Sequence, residues 1–150
     1  MSTLSLEQAV RNALEAERAA ESFYKLLAQS TANEDAKQFL IKMAKLEKAH
    51  VSTIEQMGIE LRAGKLPVRA DDNVELIETA PDWAYHDDID LTEAMALALE
   101  NERHAALYYE AFADATRDSI HALFREIMKD ENRHVAAVEH AMSNRAASKK

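Results

Sequence analysis

An all-α bundle of four long helices is predicted for this 150-residue chain by three features of its sequence. It holds only two glycines and two prolines and is rich in Ala, Leu, Glu and Lys, residues that lose little freedom in a helix. Apolar residues recur in alternating steps of three and four along four stretches, the spacing of one buried helix face. The one long interruption, about residues 64–90, contains both prolines, Pro67 and Pro81. With 47 % hydrophobic and 30 % charged residues, a chain of this length builds one core, so a single domain over residues 1–150 is expected.

The first helix is expected from Ser5 to about Ser30. Ser5-Leu6-Glu7-Gln8 reads as a capping box, the hydroxyl accepting from the third amide and Gln8 reaching back. Its apolar face carries Val10, Leu14, Tyr24 and Leu27, with Glu17 among them. Asn33, followed by Glu34-Asp35, suits the start of a second helix running to Arg62 or Ala63, with Gly64 as its stop. Its seam reads Ala36, Leu40, Met43, Glu47, His50, Ile54, Met57 and Leu61, two polar residues at the centre of an apolar stripe. The short link makes these helices antiparallel neighbours.

Helix 2 would be roughly 45 Å long at 1.5 Å per residue, and a long crossover over about residues 64–90 lets the next helix begin at the far end of the bundle. Trp83 and Tyr85 are expected to pin that crossover. The third helix starts at Asp90-Leu91-Thr92-Glu93 and reaches about Asp114, its stripe being Met95, Leu99, Glu102, Ala106, Tyr109 and Ala113. The fourth runs from near Asp118 to Asn144 with Ile120, Phe124, Ile127, Glu131, His134, Val138 and Met142.

The two halves repeat. A shift of 85 lays Leu14, Glu15, Glu17, Arg18, Ala20, Tyr24 and Ala28 over Leu99, Glu100, Glu102, Arg103, Ala105, Tyr109 and Ala113. A shift of 84 lays Glu47, His50 and Val51 over Glu131, His134 and Val135. Every polar residue that interrupts a seam is thereby doubled.

That doubling points to metal. A lone Glu-x-x-His on a helix is ordinarily solvated surface, but residues three apart differ by about 60° in direction and about 4.5 Å in height, so both can converge on one ion. Four inward carboxylates would cost several kcal/mol of lost solvation each. Two divalent cations cancel the four negative charges and leave the imidazoles neutral. Oxygen-rich sets with one imidazole per metal suit iron or manganese. Tyr24 and Tyr109, two turns beyond Glu17 and Glu102 on the same faces, are candidate hydrogen-bond donors to the carboxylates.

Composition sets further bounds. With no cysteine there are no disulfides, iron–sulfur clusters, thiolate metal sites or thiol nucleophile. Met1 to Leu6 has no basic region followed by an apolar run, and no apolar stretch approaches membrane-spanning length, so a cytoplasmic protein without membrane contact is expected. The net charge of −9 argues against nucleic acid as a partner; Lys149-Lys150 is too short to reverse it.

Glu17 with Phe23-Tyr24, Glu47-x-x-His50, Glu102 with Tyr108-Tyr109, and Glu131-x-x-His134 resemble the pattern of the ferritin-like di-iron carboxylate superfamily, most closely a rubrerythrin-like protein lacking the rubredoxin domain. That superfamily is described by this ligand arrangement. The resemblance spans about Ser5 to Asn144. It implies a ferritin-like four-helix bundle, two antiparallel pairs joined by the crossover. It also implies two iron ions on Glu17, Glu47, His50, Glu102, Glu131 and His134, with manganese or zinc as substitutes. The implied activity is that of an oxidoreductase on hydrogen peroxide or dioxygen, of peroxidase or ferroxidase type; the alternative is a non-catalytic iron-binding or storage protein. A homodimer is the implied assembly. Two departures matter. Without cysteine, electrons must come from a separate donor protein or from Fe²⁺ itself. The extra carboxylate expected a turn after Glu102 is replaced by Arg103, His104, Ala105 and Ala106, leaving Glu21 or Glu100 as substitutes.

The remaining polar residues have ordinary expectations. His104 points about 200° from Glu102 and belongs to the surface, as do His86, His121 and His140. Met43, Met57 and Met95 pack the seams, Arg18 and Arg103 pair with acids such as Glu15 and Glu100, and Phe23 and Tyr108 serve core or interface.

Overall fold

Three helices begin where a side chain accepts a hydrogen bond from an otherwise orphaned amide. The computed structural model describes residues 4–71 and 89–148 and contains α1 (Leu6–Ser30), α2 (Glu34–Glu60), α3 (Leu91–Asp114) and α4 (Asp118–Ser148). Ser5 Oγ accepts from the Gln8 amide at 3.0 Å, Asn33 Oδ1 from Ala36 at 2.9 Å and Asp90 Oδ1 from Glu93 at 2.9 Å. The reciprocal half of the Ser5 box is not formed. Gln8 Nε2 donates instead to Asn12 Oδ1 at 2.9 Å and to the Arg69 carbonyl at 3.1 Å, because the segment after α2 lies against α1 and offers a partner.

That segment is fastened by polar contacts. Arg11 Nε donates to the Pro67 carbonyl at 2.7 Å, the Gly64 amide to Glu7 Oε2 at 2.7 Å, and Asn12 exchanges two hydrogen bonds with Asp71, at 2.8 and 3.0 Å. The buried Thr31 donates to the Ile89 carbonyl at 2.7 Å, tying the α1–α2 link to the chain entering α3. Trp83, Tyr85 and His86 lie outside the described residues.

Helix ends differ from the sequence reading more than helix starts. α2 stops at Glu60 rather than at Arg62 or Ala63. Arg62 takes a left-handed φ of 63°, its amide donating to the Ile59 carbonyl and that of Ala63 to Gly58, the paired bonds of a Schellman ending. Arg62, not Gly64, therefore occupies the stop position. α4 continues past Asn144 to Ser148.

Two apolar clusters fill the bundle, and their membership reveals the direction of each helix. One contains Val10, Leu14, Val51, Ile54, Tyr109, Leu123, Phe124 and Ile127. The other contains Phe23, Tyr24, Leu27, Leu40, Met43, Ala94, Ala98 and Val138. α1 and α4 run from the first cluster to the second, and α2 and α3 from the second to the first. Each pair, linked by three residues, is thus antiparallel, while α2 and α3 run in the same direction, which requires a connection spanning the bundle. This is the four-helix bundle of two antiparallel pairs that the sequence predicts; most of the expected crossover, residues 72–88, lies outside the described residues.

Some surface expectations are corrected. Arg103 pairs with Glu139 across the α3–α4 contact at 3.1 Å, not with Glu100 on its own helix. His121 is half-buried rather than free on the surface: Nδ1 lies 2.6 Å from the Ala113 carbonyl and helps close the end of α3. Phe23 is buried in the core beside Tyr24, and Tyr108 packs half-buried on Tyr109 and Phe112.

Candidate metal centre

Between the two apolar clusters lies a polar layer to which each helix contributes one glutamate. Glu17 on α1, Glu47 on α2, Glu102 on α3 and Glu131 on α4 are all at most 1 % exposed. One turn beyond Glu47 and Glu131, on the same faces, stand His50 and His134, their rings 5.2 Å apart and steeply inclined. Helical period alone turns each residue inward; the antiparallel pairing brings the four levels together.

Donor atoms gather in two groups. His50 Nδ1 lies 3.1 Å from Glu131 Oε1 and 3.3 Å from Glu17 Oε2. His134 Nδ1 lies 3.5 Å from Glu102 Oε2, 3.7 Å from Glu47 Oε1 and 3.8 Å from Glu131 Oε2. Glu47, His50, Glu131 and His134 each place one ligand atom within 4.8 Å of the others. Two donors about 2.1 Å from a shared cation sit about 3.0–3.4 Å apart for right-angled to tetrahedral arrangements. The His50 group already has that spacing; the His134 group is a few tenths of an ångström wider.

The polar atoms themselves argue for a missing positive charge. Glu17 Oε2, Glu102 Oε2 and Nδ1 of His50 and of His134 are buried and meet only the imidazoles and carboxylates of this layer, with no other partner among the described residues. Buried donors and acceptors are otherwise nearly always satisfied. A cation in each group would satisfy them together.

Each outer carboxylate is held by a tyrosine from the opposite half. Tyr24 donates to Glu102 Oε1 at 3.1 Å and Tyr109 to Glu17 Oε1 at 3.0 Å. Both phenols are fully buried, one in each apolar cluster. Burial raises the Tyr109 phenol well above its usual range, and the nearby Glu17 charge raises it further, so it remains a donor.

Burial also pushes the Glu17 carboxyl upward, but hydrogen bonding and charge from His50 outweigh it and bring the group down to about 2. Glu102 follows the same pattern: burial raises it, His134 prevails and it lies below the ordinary carboxylate value. His50 is raised despite burial by its hydrogen bond to Glu17 and by the charges of Glu17, Asp130 and Glu102. At neutral pH the outer carboxylates are therefore ionised, and an arriving cation competes with a proton on His50.

The possible extra ligands lie elsewhere. Glu21 is held by Lys25 at 2.7 Å and lines an outer groove of about 510 Å³ between α1 and α2, with Ile41, Lys45 and Lys48. Glu100 and His104 are exposed on α3. The sequence reading missed Asp130, whose Oδ2 lies 3.6 Å from His50 Nε2, and the buried Asn101 beside Glu102. Both stand where the repeat has an apolar residue, Leu46 and Ala16, which was the available signal.

Four helices around a carboxylate–histidine layer define the ferritin-like class of bundle. Within it, the chain belongs to the rubrerythrin family, whose model matches residues 8–143. Among solved structures, it is similar to a dodecameric thioferritin, the bacterioferritin-related protein from Bacteroides fragilis. That likeness has a TM-score of 0.60 and 22 % identity over 96 % of this chain and 88 % of that one. A hypothetical protein from Pyrococcus furiosus gives a TM-score of 0.57 and 21 % identity over 92 % of this chain and 88 % of that one. These likenesses establish the fold. No match was found among curated proteins. Among the described residues, no helix is long and apolar enough to cross a membrane.

Proposed function

We propose that this chain is a single rubrerythrin-type domain acting as a non-haem di-iron oxidoreductase on hydrogen peroxide or dioxygen, of peroxidase or ferroxidase type. Its setting would be oxidative-stress defence or iron handling in the cytoplasm. The supporting observation is the doubled donor set, in which each histidine Nδ1 faces carboxylates from both halves of the chain. Glu17, Glu47, His50, Glu102, Glu131 and His134 would hold two iron ions, with manganese or zinc as substitutes. Bound there, the irons would supply two electrons, one from each ion, toward peroxide or dioxygen.

The chain's own residues prepare that chemistry. Glu17 and Glu102 are ionised and fixed by Tyr109 and Tyr24, so they need no reorientation to meet a cation. The apolar clusters on both sides keep bulk water from the layer. The His134 side chain is 14 % exposed against 2 % for His50, so a small oxidant approaches from the His134 side. Electrons come from a separate donor protein or from Fe²⁺, and the assembly is a homodimer.

Anaerobic reconstitution with Fe²⁺, metal analysis and visible spectra before and after hydrogen peroxide test this reading. About two irons per chain and a spectral change reversed by reductant are expected; fewer than about one iron per chain overturns it. The second reading, iron storage without turnover, is favoured by the dodecameric thioferritin among the structural neighbours. Excess Fe²⁺ separates the two: storage takes up many irons per chain, whereas an enzyme binds a fixed number and turns over repeatedly.

A further inference from the structure

We propose that the groove on the outer face of α1 and α2 is a docking site for an acidic protein segment, a function that does not depend on the metal chemistry above. Its lining sets Lys25, Lys37, Lys45 and Lys48 against a single acid, Glu21, around a space of about 510 Å³. Glu21 holds Lys25 at 2.7 Å, so the lining has no second acid for the three lysines of α2. On a chain whose net charge is −9, the groove reverses the sign of the local field.

The bundle itself does not require this reversal. The glutamates, histidines and tyrosines of the candidate metal centre all recur in the second half of the chain, whereas the basic groove does not. Under the same shifts, Lys25, Lys37 and Lys48 fall on Glu110, His121 and Asn132. The nine equivalent positions carry two acids, Glu110 and Asp114, and two bases, Arg125 and Lys129, and therefore no net charge. Lys129, the one lysine that recurs, is held by Glu126 at 3.0 Å. Lys25, Lys45 and Lys48 are exposed and Lys37 is half-buried, so core packing does not account for them.

The spacing of the charges selects the occupant. Lys37, Lys45 and Lys48 lie on one face of α2 and span roughly 16 Å along it. A small anion meets one or two of these ammonium groups, whereas carboxylates repeated along an extended segment of six residues cover roughly 20 Å and meet all three. Ala28 and Ala44 are buried in the floor and Ile41 is half-buried, so the floor and the lysine stems give the segment apolar contact between its charges. A nucleic acid, charged along its whole length, would run from the groove onto the acidic remainder of the surface; a short acidic segment does not. Pairs at such a rim set partner choice and association rate more than affinity.

Anisotropy of a fluorescein-tagged hexaglutamate peptide, titrated with the full chain at low ionic strength, tests this. Saturable binding that weakens as salt rises is expected, because exposed pairs are screened. Lys37→Glu with Lys45→Glu should weaken it by about tenfold or more. Arg125→Glu with Lys129→Glu lowers the net charge equally on the other outer face and should cost less than about twofold. If circular dichroism shows the first pair unfolded, Lys37→Gln with Lys45→Gln reads the same effect with a smaller loss. Bound peptide should also protect Lys37, Lys45 and Lys48 from acetylation, mapped by mass spectrometry. Absence of saturable binding, equal losses in the two charge-reversed pairs, or equal affinity for an oligothymidylate of the same length would overturn the proposal. Groove lysines already protected before peptide is added would overturn it too, giving this face to a second copy of the chain.

Discussion

Replacing Tyr109 by Phe removes one oxygen from the bundle and leaves the ring in place. The ring is fully buried, with its centroid 5.2 Å from that of Tyr108 and 6.1 Å from that of Phe124, so its packing survives. What disappears is the hydrogen bond from the phenol to Glu17 Oε1 at 3.0 Å. A bond to a charged group contributes about 1.5–3 kcal/mol, and an acceptor left buried and unpaired adds to the cost. Glu17 is charged throughout the neutral range, because its carboxyl is brought to about 2. In a domain of this size each kcal/mol corresponds to about 2–4 °C of melting temperature, so the metal-free variant should melt about 5 °C below the wild type at pH 7. With a cation bound, Glu17 has a second fixed partner and the difference should shrink. Thermal unfolding followed by far-ultraviolet circular dichroism, on metal-free and loaded samples, measures both. A fall of less than about 1 °C in the metal-free protein would refute the reasoning, since the buried phenol would then not be supporting the carboxylate. Tyr24→Phe, which removes the 3.1 Å bond to Glu102, should behave alike.

Further outcomes follow from the same layer. The metal-free protein should be most stable between about pH 4.5 and 6.5. Glu17, lowered from 4.5 to about 2, contributes fully above 4.5 and is lost as pH falls toward 2. His50, raised above 6.5, contributes fully below 6.5 and is lost as pH rises through its raised value. Metal binding should tighten over that alkaline range as the His50 proton leaves; a metal-free protein that gains stability on going from neutral to alkaline pH would contradict this. Removing the metal at neutral pH should lower the melting temperature, because binding to the folded state alone stabilises it; calorimetry with and without a chelator checks this. Glu47→Ala combined with Glu131→Ala should abolish binding of both ions, read by equilibrium dialysis; retention of either would remove these residues from the shared position. Arg62→Gly, relieving a φ of 63°, should stabilise by about 0.5–1 kcal/mol, seen as a higher denaturant midpoint.

Local chemistry made the helix starts legible. Ser5, Asn33 and Asp90 cap amides three residues ahead, an interaction complete within four residues of sequence. The stop of α2 was not legible in the same way. Arg62 accepts a left-handed backbone that the sequence alone assigns to glycine, and what compensates it is the docking of residues 64–71 on α1 through Arg11, Asn12 and Glu7.

The site divides along the same line. By itself the sequence determined that Glu17, Glu47, His50, Glu102, Glu131 and His134 share the inward faces of four helices, because a period of 3.6 residues sets direction without reference to any partner. Only the tertiary structure decided which atoms meet. Tyr24, expected to serve a carboxylate, reaches Glu102, 78 positions away, and Tyr109 reaches Glu17, 92 away. Asp130, one position before a glutamate of the repeat, faces a histidine on another helix. Those meetings depend on the antiparallel order of the helices and the height at which they pack. Periodicity gives each residue an angle and a level on its own helix; the match between levels on different helices exists only once the bundle has closed.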